Sequence, residues 1–241
     1  MKYEITQGQY ADFLNTLSLQ TIPPRAKFMF GDYEYFRGSI TLSDKRFVAT
    51  SPDRPANFVS WDDGMAYADW AGLRPMTELE FEKAARGTVV PKPKDYPWGS
   101  SSIDNLKRFV NENNEVVWAG LLEKDLTDEN RDLFGASFYW VMDLSGSIWE
   151  RCITIGSEAG RNFKGTHGDG ATNYGYATNE DWPAGDHKSS GFGFRGGGFY
   201  EHGLSSDVHV PFSPVAFRRY GAWAGGYATQ AYGQRFVRSA R

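Results

Sequence analysis

Eighteen of the 27 glycines fall in the last hundred of the 241 residues, and this concentration limits the fold more than any other feature of the chain. Glycine is a poor helix former that serves turns and close backbone approaches. The carboxy-terminal part therefore reads as a web of turns between short extended pieces and not as stacked helices. Aromatic residues make up 16% of the chain, and where aliphatics are sparse they must supply much of the core.

Helix signals gather in the first ninety residues. Thr6 and Gln9 have capping-box spacing, and Tyr10, Phe13, Leu14 and Leu17 follow at helical intervals, which predicts a helix near 7–18. Ser60 and Asp63 repeat the capping pattern before Trp61, Met65, Ala66, Ala68 and Trp70, predicting a second helix over about 62–71. Thr77 and Glu80 open a third, acidic in its first turn as the helix dipole favours, with Gly87 as an αL stop. Beyond Gly87 the periodicity dissolves; residues 116–118 and 138–142 read as short strands. Segment 156–194 is too long for an ordinary loop, which predicts a functional loop, an insertion or concealed strands. With no linker composition and no internal repeat, residues 1–241 read as a single domain.

Several functions are excluded at this level. A net charge of -4 argues against a protein that wraps nucleic acid, and there is no apolar run of about 18 residues to cross a bilayer. The single cysteine, Cys152, excludes a disulfide scaffold and a Cys-rich metal cluster, and its apolar setting reads as buried filler. Residues 1–6 read as folded sequence and not as a signal peptide, so an export signal, if the protein uses one, lies outside this chain. His167, His187, His202 and His209 lack metal-ligand spacing and read as loop residues. No Gly-x-Ser-x-Gly elbow, Walker loop or dinucleotide fingerprint is present. Loop 165–181 offers the oxygen donors that calcium prefers without EF-hand spacing, and Asp, Asn and Gly are equally the residues of plain turns. The last 34 residues interleave Arg218, Arg219, Arg235, Arg238 and Arg241 with Phe217, Tyr220, Trp223, Tyr227, Tyr232 and Phe236. Such a pattern can stack on bases or sugar rings, or its arginines can pair with acids elsewhere.

Five blocks then occur in a recognisable order. Trp61-Asp62-Asp63-Gly64-Met65-Ala66 continues through Leu73-Arg74-Pro75-Met76-Thr77-Glu78-Leu79-Glu80 to Gly87, and Tyr96-Pro97-Trp98-Gly99 follows. Met142-Asp143-Leu144-Ser145-Gly146-Ser147-Ile148-Trp149-Glu150, Phe194-Arg195-Gly196-Gly197-Gly198-Phe199 and Tyr232-Gly233-Gln234-Arg235-Phe236 complete the set. The arrangement resembles the formylglycine-generating enzyme (sulfatase-modifying factor) family. That resemblance implies an α+β, C-type-lectin-like fold, with short antiparallel strands, two or three helices and long loops. It places Trp61, Trp70, Trp149 and the Arg-Gly-Gly turn in the scaffold.

The departures from the family pattern shape the functional expectation. The resemblance gives oxidase members a cysteine pair after the Arg-Gly-Gly block that binds copper, and this chain has none between Gly198 and Arg235. Histidine-based iron relatives use an additional helical domain that is also missing here. Ser147 stands where the family carries an Asn beside a calcium site, leaving Glu150 as the remaining side-chain ligand, so no cofactor is required and calcium is the one metal the resemblance leaves open. A second resemblance, to variable proteins of diversity-generating retroelements, fits these departures. It implies a non-enzymatic ligand-binding protein with a diversified surface at about 198–236, built from Tyr200, His202, Tyr220, Trp223, Tyr227, Gln230 and Tyr232. Arg195, Arg218, Arg235 and Arg238 would hold the frame. The implied partner is a protein or glycan on another cell or surface, with the chain secreted or surface-displayed. The competing readings are a divergent oxidoreductase or cofactor-binding member of the family, and a structural surface module without a ligand site.

Overall fold

A computed structural model of the chain describes residues 1–18, 22, 26, 37–111, 115–120, 123–185, 190–199, 211–225 and 228–239. Among the described residues, three capped helices stand out in its amino-terminal half. Helix α1 (Gln7–Leu14) is closed by the predicted reciprocal Thr6–Gln9 box. It ends earlier than the apolar spacing suggested, because the Asn15 side chain turns to bond both the N–H and the carbonyl of Phe47, at 2.8 and 2.9 Å. Helix α2 (Trp61–Trp70) starts from Ser60, whose hydroxyl accepts from the Asp63 N–H at 3.2 Å while its own N–H donates to the Asp63 carboxylate at 2.9 Å. Helix α3 (Glu78–Arg86) starts from the Thr77–Glu80 box. Gly87 stops it at φ +62° and ψ -127°, positive in φ as expected but outside the αL well.

The strands are short. A hairpin pairs β1 (Ile40–Ser43) with β2 (Arg46–Ala49), and a second pairs β4 (Arg108–Val110) with β5 (Val116–Trp118), the latter at a predicted strand. β3 (Arg74–Pro75) pairs antiparallel with β9 (Phe236–Val237), tying the α2–α3 junction to the end of the chain. The central sheet has the order β7 (Phe192–Arg195), β6 (Trp149–Ile153), β8 (Tyr232–Gln234). β6 runs antiparallel to β7 with Glu150 opposite Arg195, and parallel to β8 with Trp149 opposite Tyr232. The other pairs are antiparallel as expected, and β8 is the exception, running parallel to β6.

Residues 138–142 do not form the predicted strand. The Ser137 hydroxyl accepts from the Val141 N–H and Trp140 sits at φ +60°, so the aromatic run folds into a tight turn that leaves Phe138 and Tyr139 exposed. Segment 156–194 contains a one-turn helix, α4 (Glu158–Arg161), and the first residues of β7. Buried Asp69 of α2 pins it by accepting the Asp169 and Thr178 N–H groups at 2.9 and 2.8 Å. The larger core cluster spans α1 and α2 and reaches β7, where the Trp61 ring stacks on Phe192 at 4.2 Å and 8°. Trp61 and Trp149 are fully buried, and Trp70 packs partly buried against the same core. The whole is a mixed α+β arrangement of small helices and short, mostly antiparallel strands.

Candidate ligand-binding surface

The segment after residue 211 folds back along β7. The Phe194 N–H donates to the Tyr220 carbonyl at 2.9 Å, and Arg195 Nη2 donates to the Val215 carbonyl at 2.8 Å. This contact needs Gly193, because a Cβ there would collide with the Gly221 carbonyl. The fold-back lays Phe217, Tyr220 and Trp223 as an outer aromatic row on the buried row of Trp149, Phe194 and Tyr232. Trp149 meets Tyr220 edge-on at 5.5 Å, and Phe194 lies 5.4 Å from Trp223 and 4.5 Å from Tyr232.

The predicted site residues therefore separate. Tyr220, Trp223 and Gln230 are half-buried, and the rings of Tyr220 and Trp223 meet edge-on at 6.3 Å. Tyr232 is a correction: it is 2% exposed on β8, its ring is covered by the Arg151 guanidinium at 5.0 Å, and burial pushes its phenol up to about 12. It packs the floor of the surface and cannot belong to its face. Tyr200, His202 and Tyr227 lie outside the described residues.

Two arginine networks hold this surface. In the interior, Arg235 donates from Nε and Nη2 to both Glu150 oxygens at 2.8 Å, and to the Lys2 and Met142 carbonyls at 2.6 and 2.8 Å. Burial alone would lower the Arg235 pKa, but the Glu150 carboxylate more than reverses this and raises it. Glu150, the side chain that the resemblance offered to calcium, is wholly buried here with both its oxygens accepting from the Arg235 guanidinium. Near the surface, Glu78 and Glu82 of α3 face Arg195 and Arg218. Arg195 reaches Glu82 at 2.6 Å and Glu78 at 3.4 Å, while Arg218 reaches Glu78 at 2.6 Å and Glu82 at 3.2 Å. Burial would raise Glu82, but hydrogen bonds from Arg86 and Arg195 outweigh it and hold the carboxyl below its ordinary range. Arg195, Arg218 and Arg235 make these bonds, while Arg238, expected to hold the frame with them, is exposed.

Sequence reasoning missed the two acids of this frame. Two carboxylates at i, i+4 on one helix repel each other unless outside cations join them, and that spacing was the available signal. Arg151 was missed as well. It donates to the Val59 carbonyl at 2.6 Å and covers Phe194 and Tyr232 at 5.1 and 5.0 Å.

Cys152 faces the core from β6. Burial first, and then the neighbouring Glu150 carboxylate, push its thiol far above its ordinary pKa. In loop 165–181, Asp181 accepts from the Lys164 N–H and from the Thr166 hydroxyl and N–H, while the buried Asn179 Oδ1 accepts no hydrogen bond among the described residues. Among the described residues no group of three His, Cys, Asp or Glu side chains converges in metal-binding geometry.

The Sulfatase-modifying factor enzyme 1-like domain (FGE-sulfatase) matches residues 1–239. The chain belongs to this family. Among its relatives, the formylglycine-generating enzyme of Bos taurus is 31% identical over 183 residues, which cover 61% of this chain and 46% of that protein. The formylglycine-generating enzyme of Thermomonospora curvata is 32% identical over 112 residues, 44% of this chain and 35% of that protein. The inactive C-alpha-formylglycine-generating enzyme 2 of Mus musculus is 32% identical over 137 residues, 50% of this chain and 41% of that protein. The matched regions thus span 35% to 46% of these curated relatives. Family membership therefore accounts for the scaffold, and the chemistry of this member has to be argued from its own residues. No helix among the described residues is long and apolar enough to cross a membrane.

Proposed function

We propose that this family member is a non-enzymatic ligand-binding protein, a variable protein of a diversity-generating retroelement on a C-type-lectin-like scaffold. Its segment at about 198–236 presents a diversified surface, secreted or displayed, to a protein or glycan on another cell. The observation that carries the non-enzymatic reading is the state of its one thiol. The copper chemistry implied by the resemblance needs two accessible thiolates. Here the sole cysteine is 1% exposed, held protonated by burial, and faces Glu150. A copper centre of that kind does not fit these residues.

The binding reading is supported by the half-buried Tyr220 and Trp223, which are rigid and amphipathic and stand on a fixed inner row. Such side chains give contact area at low entropic cost and tend to dominate binding energies. The test is oxygen uptake by the full chain with copper and a cysteine-containing peptide. Uptake at the protein-free background is expected, and turnover that depends on the protein would defeat the reading. The retroelement assignment has a separate check. A near-identical template repeat beside a reverse transcriptase gene should accompany this gene, with differences confined to template adenines, and the lack of both removes that part.

A further inference from the structure

A cleft of about 530 Å³ opens between residues 3–6, the 53–55 turn and the β4–β5 hairpin, apart from the outer aromatic row of Phe217, Tyr220 and Trp223. Its hairpin wall is apolar. Val110 and Val116 are cross-strand partners, and Trp118 shares their face by strand alternation. Val116 and Trp118 are 47% and 36% exposed, large apolar groups left facing water at the mouth of a recess.

The rest of the lining is charged and leans acidic: Glu4, Asp53, Glu115 and Asp143 against Arg54 and Arg108. Arg108 is already committed. It donates to both Asp143 oxygens at 2.5 and 3.1 Å and lies 5.7 Å from the ring centroids of Tyr3 and of Trp118. At its floor, then, the cleft holds a cation between a carboxylate and two aromatic rings. Nearer the mouth, Asp53 and Glu115 are exposed, with Glu115 taking one hydrogen bond from Asn111 at 3.2 Å. On the inner wall Glu4 is 2% exposed and neither of its oxygens accepts a hydrogen bond among the described residues; its ion-pair contact, Arg235 Nη2, is 3.5 Å away.

We propose that this cleft binds a small organic cation with an apolar body, an alkyl- or arylamine, with its ammonium toward Asp53 and Glu115 and its body against Val116 and Trp118. The volume lies in the range of small-molecule sites, and an indole beside carboxylates is a favourable setting for a partly desolvated cation.

The pair 2-phenylethylamine and 3-phenylpropionate share a ring and a linker and differ in charge. Each is titrated into the full chain while the Trp118 indole and Val116 amide resonances are followed. The amine should saturate with shifts centred on these residues, and the carboxylate should bind at least about tenfold more weakly. The double variant Asp53→Asn, Glu115→Gln changes only exposed side chains and should weaken the amine by about tenfold; Trp118→Ala should weaken it by a similar factor. Tyr220→Ala should leave it unchanged, which separates this site from the carboxy-terminal surface. No saturable shift at Trp118 and Val116, equal or tighter binding of the carboxylate, or indifference of the amine to the double variant would each overturn the proposal.

Discussion

The inner and outer halves of the arginine–aromatic assembly use the same residue types for different purposes. In the inner half, Trp149, Phe194 and Tyr232 are closed off from water and Arg235 spends its whole guanidinium on Glu150 and main-chain carbonyls. In the outer half, Phe217, Tyr220 and Trp223 are only partly covered, and Arg218 shares Glu78 and Glu82 with Arg195 while its side chain remains 44% exposed. Residue type therefore does not separate frame from display. The β6–β8 pairing does, because it draws Tyr232 and Arg235 inward while the fold-back over Gly193 leaves Tyr220 and Trp223 on top. Substitutions in the two halves should differ accordingly.

The largest effect is expected at Arg235. Arg235→Ala leaves the fully buried Glu150 carboxylate without its partner, and breaking a buried pair from one side costs about 3 to 5 kcal/mol. The lost bonds to the Lys2 and Met142 carbonyls add to this. A urea midpoint close to wild type would show that Glu150 finds another partner and that the inner network is not the frame.

Aromatic truncation gives the next contrast. Trp149→Ala removes a fully buried indole and should cost about 3 to 5 kcal/mol. Trp223→Ala, from the outer row, should cost about 1 kcal/mol and leave the urea transition cooperative. Equal losses would mean that the outer row is core, and the display surface would have to be sought elsewhere.

How much of this was legible in the sequence depended on how local the signal was. The three helix starts were readable because each cap closes within three residues, as Thr6–Gln9, Ser60–Asp63 and Thr77–Glu80 do. The 138–142 run was misread as a strand because its aromatic composition outweighed a single Ser137 hydroxyl that closes a turn. Tyr232 was placed on the surface because nothing near it announces a parallel strand whose partner, Trp149, lies far back in the chain. Arg151 was invisible for the same reason, since its Val59 acceptor lies 92 residues away. The family blocks located the scaffold correctly, but the site needed the fold-back, which only the backbone contact between Gly193 and Gly221 reveals.

The smallest effect is a pair of pH dependences with opposite sign, one from each half. Burial, only partly offset by Arg235, raises the Glu4 carboxyl well above its ordinary value, so the folded chain keeps a proton that the unfolded chain releases. Its contribution to stability is complete below the unfolded pKa of about 4.5 and is lost as pH rises. Glu82, in the outer half, is lowered, because the bonds from Arg86 and Arg195 outweigh its burial. Its contribution is present above about 4.5 and disappears as pH falls through the lowered value. Thermal melts of Glu4→Gln should therefore gain on wild type as pH increases above about 4.5. Melts of Glu82→Gln should trail wild type at pH 7 and converge with it below pH 4. A Glu4→Gln difference that stays flat as pH rises above about 4.5 would mean that Glu4 is ionised against Arg235, making the inner network a three-membered ion cluster and not a closed pair beside a neutral acid.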